Sequence, residues 1–305
     1  MMRLLPALAG FLVTTASASE PEAVEGLDVT EFIDVLSTRV THTAGMDFDG
    51  PTRGDVDFTT ASVFALLGNV ELAPGWNWVP ALRYQFSSLD MNALPFGANP
   101  AAPRLDQGLH GIALDSFLIH APEGSRWLHG AYLSTGVNSD FSVFDPRDIS
   151  LAAAIGSGYR FSDELLVGFG VYGSNLLNDP FIVPAPVFFW EPGEDWLVSY
   201  YVPRFIARRE IGDNIRFGFE AGWNGGWWGI DAFNAESRLE VDSIRAGLYY
   251  RHRIAGDAWV EIGAGYTFAN EVKIYSPGGR DLFPGIMGEA DPAPYVTVGF
   301  SVHRW

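Results

Sequence analysis

The chain has 305 residues, no cysteine and a formal net charge of −18, which excludes a disulfide-stapled fold and disfavours nucleic acid, whose phosphates the acidic residues would repel. Charged residues make up only 18% and aromatics 14%, with 10 Trp and 22 Phe, so the surface is not conventionally water-facing. Past the first twenty residues there is no helix-period segment of useful length, and no apolar run reaches the roughly 18 residues of a spanning helix.

The first elements in the chain are a positive start at Arg3, an apolar stretch from Leu4 to Val13, and the small residues Ala16, Ser17 and Ala18. This is the pattern of a cleavable export signal over residues 1–18, leaving 19–305 as one folded domain. The acidic stretch MDFDGPTRGDVDF follows, with Asp47, Asp49, Asp55 and Asp57. It lacks the ligand spacing and terminal Glu of a calcium loop, and its Arg-Gly-Asp tripeptide is one that chance supplies easily, so it reads as a solvated loop.

Alternating runs then recur. Between Trp76 and Phe86 one face holds Trp76, Trp78, Pro80, Leu82, Tyr84 and Phe86, and the other Asn77, Val79, Ala81, Arg83 and Gln85. Ile149–Phe161, Leu165–Gly173, Ile215–Trp223 and Val260–Phe268 repeat the pattern, while Val56–Leu72, Gly108–His120, Trp127–Asn138 and Ile244–Arg253 are less clean. Val183–Arg209 is broken by Pro184, Pro186 and Pro203 and leaves its strands uncountable. Short Pro/Gly/Asp turns such as APEGSRW and RIAGDAW alternate with long acidic connections, among them Asn224–Glu236 and Ala269–Pro292.

The less apolar face of these strands is Gly, Ala and Ser with sparse Arg and Glu, and the apolar face carries Trp and Tyr at its ends. Hydrocarbon rejects charge while the two membrane interfaces favour amphipathic rings, so the apolar face is expected to meet lipid. Backbone groups in lipid must all be paired, so the sheet must close. The expected fold is all-β: a closed antiparallel transmembrane β-barrel of about 12 strands, or 14 if Val183–Arg209 holds an extra hairpin. Short turns would face the periplasm and long loops the outside.

The final stretch PYVTVGFSVHRW, with Phe300 and the terminal Trp305, resembles the last strand of bacterial outer-membrane proteins. That resemblance implies outer-membrane lipid and the barrel-assembly machinery as partners. It departs in one respect, since Trp305 falls out of phase with Phe300 and Val302 unless a bulge near His303 restores it. The chain as a whole also looks like the uncharacterised porin-like outer-membrane barrel families joined by G-D-x-W and P-x-x-W turns.

Inward-facing ionisable residues are expected at Glu71, Arg83, Asp115, Arg160, Arg216, Glu220, Arg245, Arg251 and Glu261. Two functions follow from them. They either line a passive small-solute or ion channel, or pair into a network that plugs the lumen of a structural or surface-binding barrel. Inward glycines at 168, 170, 218, 222, 263 and 265 would leave room, and acidic loops would favour cations at the mouth. His110 and Ser116 share a face but lack an orienting partner, so no lipid hydrolase is expected. No cofactor or metal spacing is present. The Trp-rich stretch GWNGGWWGIDAF reads as an interface girdle leading into a loop.

Overall fold

A computed structural model describes residues 34–48, 54–91, 108–142, 145–175, 180–193, 195–232, 235–276, 278–282 and 288–303. The export signal and the terminal Trp305 lie outside them. The described chain forms one sheet of sixteen strands. In order these are β1 (Leu36–Asp47), β2 (Asp55–Leu66), β3 (Val70–Ala73), β4 (Trp76–Met91), β5 (Leu109–His120), β6 (Trp127–Ser139), β7 (Ile149–Ser162) and β8 (Leu165–Ser174). There follow β9 (Phe181–Trp190), β10 (Trp196–Tyr201), β11 (Arg204–Ile211), β12 (Ile215–Ala232), β13 (Ala235–Ala255), β14 (Ala258–Tyr275), β15 (Gly288–Ala290) and β16 (Ala293–Val302).

Fourteen of these strands close into an antiparallel barrel. Strands β3 and β15 are short additions paired to β4 and β14. The seam joins β1 to β16 in the register Leu36↔Val302 and Val40↔Val298, and β13–β14 and β14–β16 complete the ring. The count exceeds twelve because Val183–Arg209 holds an additional hairpin, β10–β11, turned at Val202-Pro203.

The alternating pattern decides which side meets lipid. Ile155, Phe169, Ile182, Ile262 and Val298 are all more than half exposed on the outer face. Trp76, Trp78, Trp127, Trp190 and Trp196 are exposed at the short-turn end, where an amphipathic ring belongs. A water-facing surface would not carry such a belt. Among the described residues no helix is long and apolar enough to cross a membrane, and this chain crosses with strands.

Two expectations about space and loops are corrected. Asn224–Glu236 is not a long loop, because β12 and β13 run through it and pair as far as Ala232↔Ala235. The inward glycines at 218 and 265 do not simply leave space. A Cβ at Gly218 would sit 2.6 Å from the Tyr249 ring, and one at Gly265 would sit 2.8 Å from the Tyr295 ring. These glycines let two tyrosines lie flat against the wall. At Gly168 and Gly170 a Cβ would instead strike the β7 backbone, so there they permit close strand approach.

Candidate functional site

The lumen is obstructed at two heights. At mid-barrel, inward positions of β11–β14 and β1 converge on two carboxylates. Glu220 accepts from Arg39 at 3.1 Å, Arg204 at 2.5 Å and Arg245 at 3.2 Å. Glu261 accepts from Arg39 at 2.9 Å and Arg251 at 2.6 Å. Because β13, β14 and β16 separate β12 from β1 around the ring, Arg39 forms a chord across the interior. Below it Glu210 holds Arg216 at 2.8 Å, and Arg216 stacks over Trp259 at 4.1 Å. His303 accepts at Nε2 from the Arg216 guanidinium at 2.8 Å and pairs through Nδ1 with Asp34 at 2.5 Å.

Four of the expected lumen residues, Glu220, Arg245, Arg251 and Glu261, are thus brought together as one network, and Arg216 lies beside it, opposite Arg251 in the β12–β13 register. Arg83 sits on the opposite wall, paired with Asp115 at 3.2 Å and bonded to Ser134. Arg160 and Glu71 stay apart at the short-turn end, Arg160 donating its backbone N–H to Arg126 and Glu71 exposed on β3. Sequence reasoning missed Arg39, Arg204, Arg208 and Glu210. Arg204, Arg208 and Glu210 lie in or next to the proline-broken stretch, and Arg39 lies before the first recognised run.

The second obstruction is part of the wall itself. Strand β12 pairs with β11 only from Ile215 to Gly222. Above Gly222 it parts from β11 and crosses the mouth to β6, where Gly229 pairs with Ser139, while β13 stays paired with β14 as far as Arg238↔Tyr275. One face of this hairpin, Trp228, Ile230, Leu239 and Val241, packs on Met46, Val56, Phe58, Leu89 and Leu109 from the far wall. Trp228 meets Phe58 edge-on at 6.2 Å. On the other face, Trp227 donates its indole N–H to the Asn175 carbonyl at 3.0 Å and lies under Arg238. The expected interface girdle is therefore a buried lid: Trp227 and Trp228 are 1% and 2% exposed, since both faces of the strand meet protein.

The lid tip is latched by charge. Arg147 bridges Asp145 at 2.8 Å and Glu236 at 2.5 Å, and Asp140 accepts the Asp231 N–H at 3.1 Å. Asp145 caps a 3-10 turn over Pro146–Asp148, and Asp148, which accepts the Asp145 N–H at 3.0 Å in return, lies so close to Gly229 that a Cβ there would collide with its carboxylate. Burial pushes the Asp148 and Glu236 carboxyls above their ordinary values, whereas hydrogen bonds from Arg147 hold Asp145 down to about 2.

The sign of the pH effect follows by linkage. Groups raised in the latched state bind protons more tightly there, so latching strengthens as pH falls through their raised values. The Asp145 contribution is complete above 3.8 and lost as pH falls toward 2. Hydrogen-exchange protection of residues 229–238, corrected for intrinsic rate, should therefore increase as pH is lowered from 7 through those raised values. In an Asp148→Asn variant that difference should shrink. Greater protection at pH 7 in the parent chain would contradict the assignment.

Between the lid and the wall of β4 to β7 lies a cavity of about 70 Å³, lined by Arg83, Gln85, Asn138, Ser150 and the lid residues Trp223, Trp227 and Trp228. Elsewhere the suspected catalytic pair dissolves. His110 and Ser116 both face outward, but Ser116 accepts from the Trp78 indole at 2.6 Å and His110 bonds the Tyr84 hydroxyl at 2.8 Å. Six residues along a strand place them about 20 Å apart. Among the described residues no group of three metal-ligating side chains is found. Asp57 is used locally, accepting the Gly45 N–H at 2.7 Å; Asp49 lies outside the described residues.

Comparison with curated proteins gives no match. Among solved structures the chain is similar to the COG4313 outer membrane channel from Pseudomonas putida F1, at 8% identity and a TM-score of 0.43, covering 91% of this chain and 99% of that one. It is also similar to the Pseudomonas putida toluene transporter TodX (8% identity, TM-score 0.33, 88% of each chain). A third likeness is the β domain of the Bordetella autotransporter BrkA (10% identity, TM-score 0.34, 88% of this chain and 99% of that one). These likenesses extend to the barrel form alone. The family model described as domain of unknown function DUF6268 matches residues 120–303, which carry β6 to β16 and so the lid and most of the lumen network. As that match spans more than half of the 305 residues, the chain belongs to the DUF6268 family.

Proposed function

We propose that this protein is an outer-membrane channel for small solutes that is held shut at rest by its own β12–β13 lid. The observation that carries the reading is the departure of β12 from the wall above Gly222 and its crossing of the mouth to β6. A barrel that only needed to be structurally sound would keep that strand in the wall. In this reading the short turns face the periplasm, the long loops face outward, and the export signal and the terminal strand with Phe300 and Trp305 deliver the chain to the outer membrane.

The test is planar-bilayer conductance of the purified barrel and of a variant in which residues 225–242 are replaced by an Asn-Gly turn joining the paired Asn224 and Ser243. The parent should show rare, brief openings and the variant steady conductance. The mid-barrel network sets its selectivity. Six guanidiniums (Arg39, Arg204, Arg208, Arg216, Arg245, Arg251) stand against the carboxylates of Asp34, Glu210, Glu220 and Glu261. The open variant should thus prefer anions, despite the acidic loops.

A second reading, a non-conducting structural barrel, is favoured by the Arg39 chord, which crosses the interior independently of the lid. A lidless barrel that folds but carries no current would select it.

A further inference from the structure

The wall has a gap where the lid leaves it. Strand β9 pairs with β10 only from Val187 to Trp190, so Phe181–Pro186 are bonded to β8 on one side and have no strand partner among the described residues on the other. Across the gap, β12 loses its β11 partner above Gly222. The floor is the β10–β11 turn. Strand β10 has six residues, about 17 Å at 3.3 Å per step and about 13 Å in height once tilted by roughly 40°. The apolar band of such a barrel is about 25 Å tall, so the hairpin covers only about half of it. The gap therefore opens into hydrocarbon.

Both rims are adapted to that setting. Backbone donors cannot be left bare in lipid, and the unpaired part of β9 carries Pro184 and Pro186, which have no N–H to leave bare. Ile182 at the same rim is 78% exposed. On the other rim Trp223 donates its backbone N–H to Pro203 at 3.1 Å and its indole N–H to Asp242. Trp223 also lines the cavity under the lid, so gap and cavity meet at one residue.

We infer that this gap is a side opening through which a small uncharged aromatic solute passes between the outer-leaflet hydrocarbon and the cavity beneath the lid. The chemistry of the two compartments selects that class. A solute crossing the rim must tolerate hydrocarbon, which excludes ions. The cavity offers Trp223, Trp227 and Trp228 as ring surfaces and neutral Gln85, Asn138 and Ser150 as hydrogen-bond partners. The charge of Arg83 is already met by Asp115. A volume of about 70 Å³ holds roughly five waters, the bulk of one benzene-sized ring.

The inference rests on the reading of the protein as a lid-closed channel, and its tests do not use conductance. The chain has no cysteine, so single cysteines report cleanly. Val183, Tyr172 and Ala154 lie in one register row across β9, β8 and β7, with Val183 at the rim and Ala154 within the closed wall. In liposomes, a lipid-soluble pyrene maleimide should label Val183→Cys at least tenfold faster than Ala154→Cys. Equal rates would overturn the opening.

For the ligand, quenching of tryptophan fluorescence by 4-nitrophenol at a pH where it is uncharged should saturate for the parent chain. It should become linear for Ala113→Phe, which fills the cavity wall. Fast rim labelling with no saturable quenching in the parent would overturn the aromatic assignment. Loss of lid-controlled current with both results intact would count against the channel reading and leave the side opening in place.

Discussion

Replacing Glu220 by Gln is expected to destabilise the barrel by about 3–5 kcal/mol, the usual cost of removing one partner from a buried ionic group. Glu220 takes three guanidiniums, from Arg39, Arg204 and Arg245, and its side chain is 13% exposed. Removing its charge leaves three half-buried cations with only Glu261 nearby to share, and Glu261 is already held by Arg39 and Arg251. The loss should appear as a lower midpoint in heat-modified gel mobility and in urea unfolding from lipid vesicles. A second change, Arg204→Met, should recover part of it by removing one of the stranded charges. A Glu220→Gln barrel as stable as the parent would mean that the network is hydrated and contributes little.

Trp228→Ala should act on the lid and spare the barrel. The indole is 2% exposed and sits in the cluster that holds the hairpin to the far wall. Truncations of buried aromatic side chains of this kind cost about 3–5 kcal/mol through lost transfer energy and the cavity left behind. Since each 1.4 kcal/mol is about tenfold in an equilibrium, the closed lid should become at least a hundredfold less favoured. The expected result is frequent channel opening and proteolytic cutting between residues 224 and 243, with heat-modifiable barrel mobility retained. Loss of the folded barrel band would show that lid and wall form one cooperative unit.

The closed barrel was legible because lipid imposes the same alternation on every strand that it touches. The run Trp76–Phe86 showed both faces: Val79 and Ala81 are buried, while Trp76, Trp78, Leu82 and Tyr84 are exposed. Strand β1 was not legible, because its outward residues Leu36, Thr38, Val40 and His42 are half polar and give no apolar stripe. The hairpin β10–β11 was hidden by prolines that mark a rim rather than a break. The lid escaped for a different reason. Its two faces are both buried in protein, so Trp223-Asn-Gly-Gly-Trp-Trp carries no contrast between inside and outside. The mid-barrel network was readable as a list of residues, but the chord through Arg39 depends on closure between chain segments that no local pattern relates.

That closure has a kinetic consequence. At the seam Thr41 and Thr297 share a hydrogen bond of 3.0 Å across 256 positions of sequence, whereas most other strand pairs are hairpin neighbours. Contacts so distant along the chain are assembled slowly, since the loop they close must be ordered first. The ring can therefore be built hairpin by hairpin from local pairings and zipped shut last along β1 and β16. Until that step both terminal strands present open edges to any passing chain. Slowing the final zipping, for example with a Pro at Val40, should lengthen the aggregation-prone interval much more than it weakens the finished barrel.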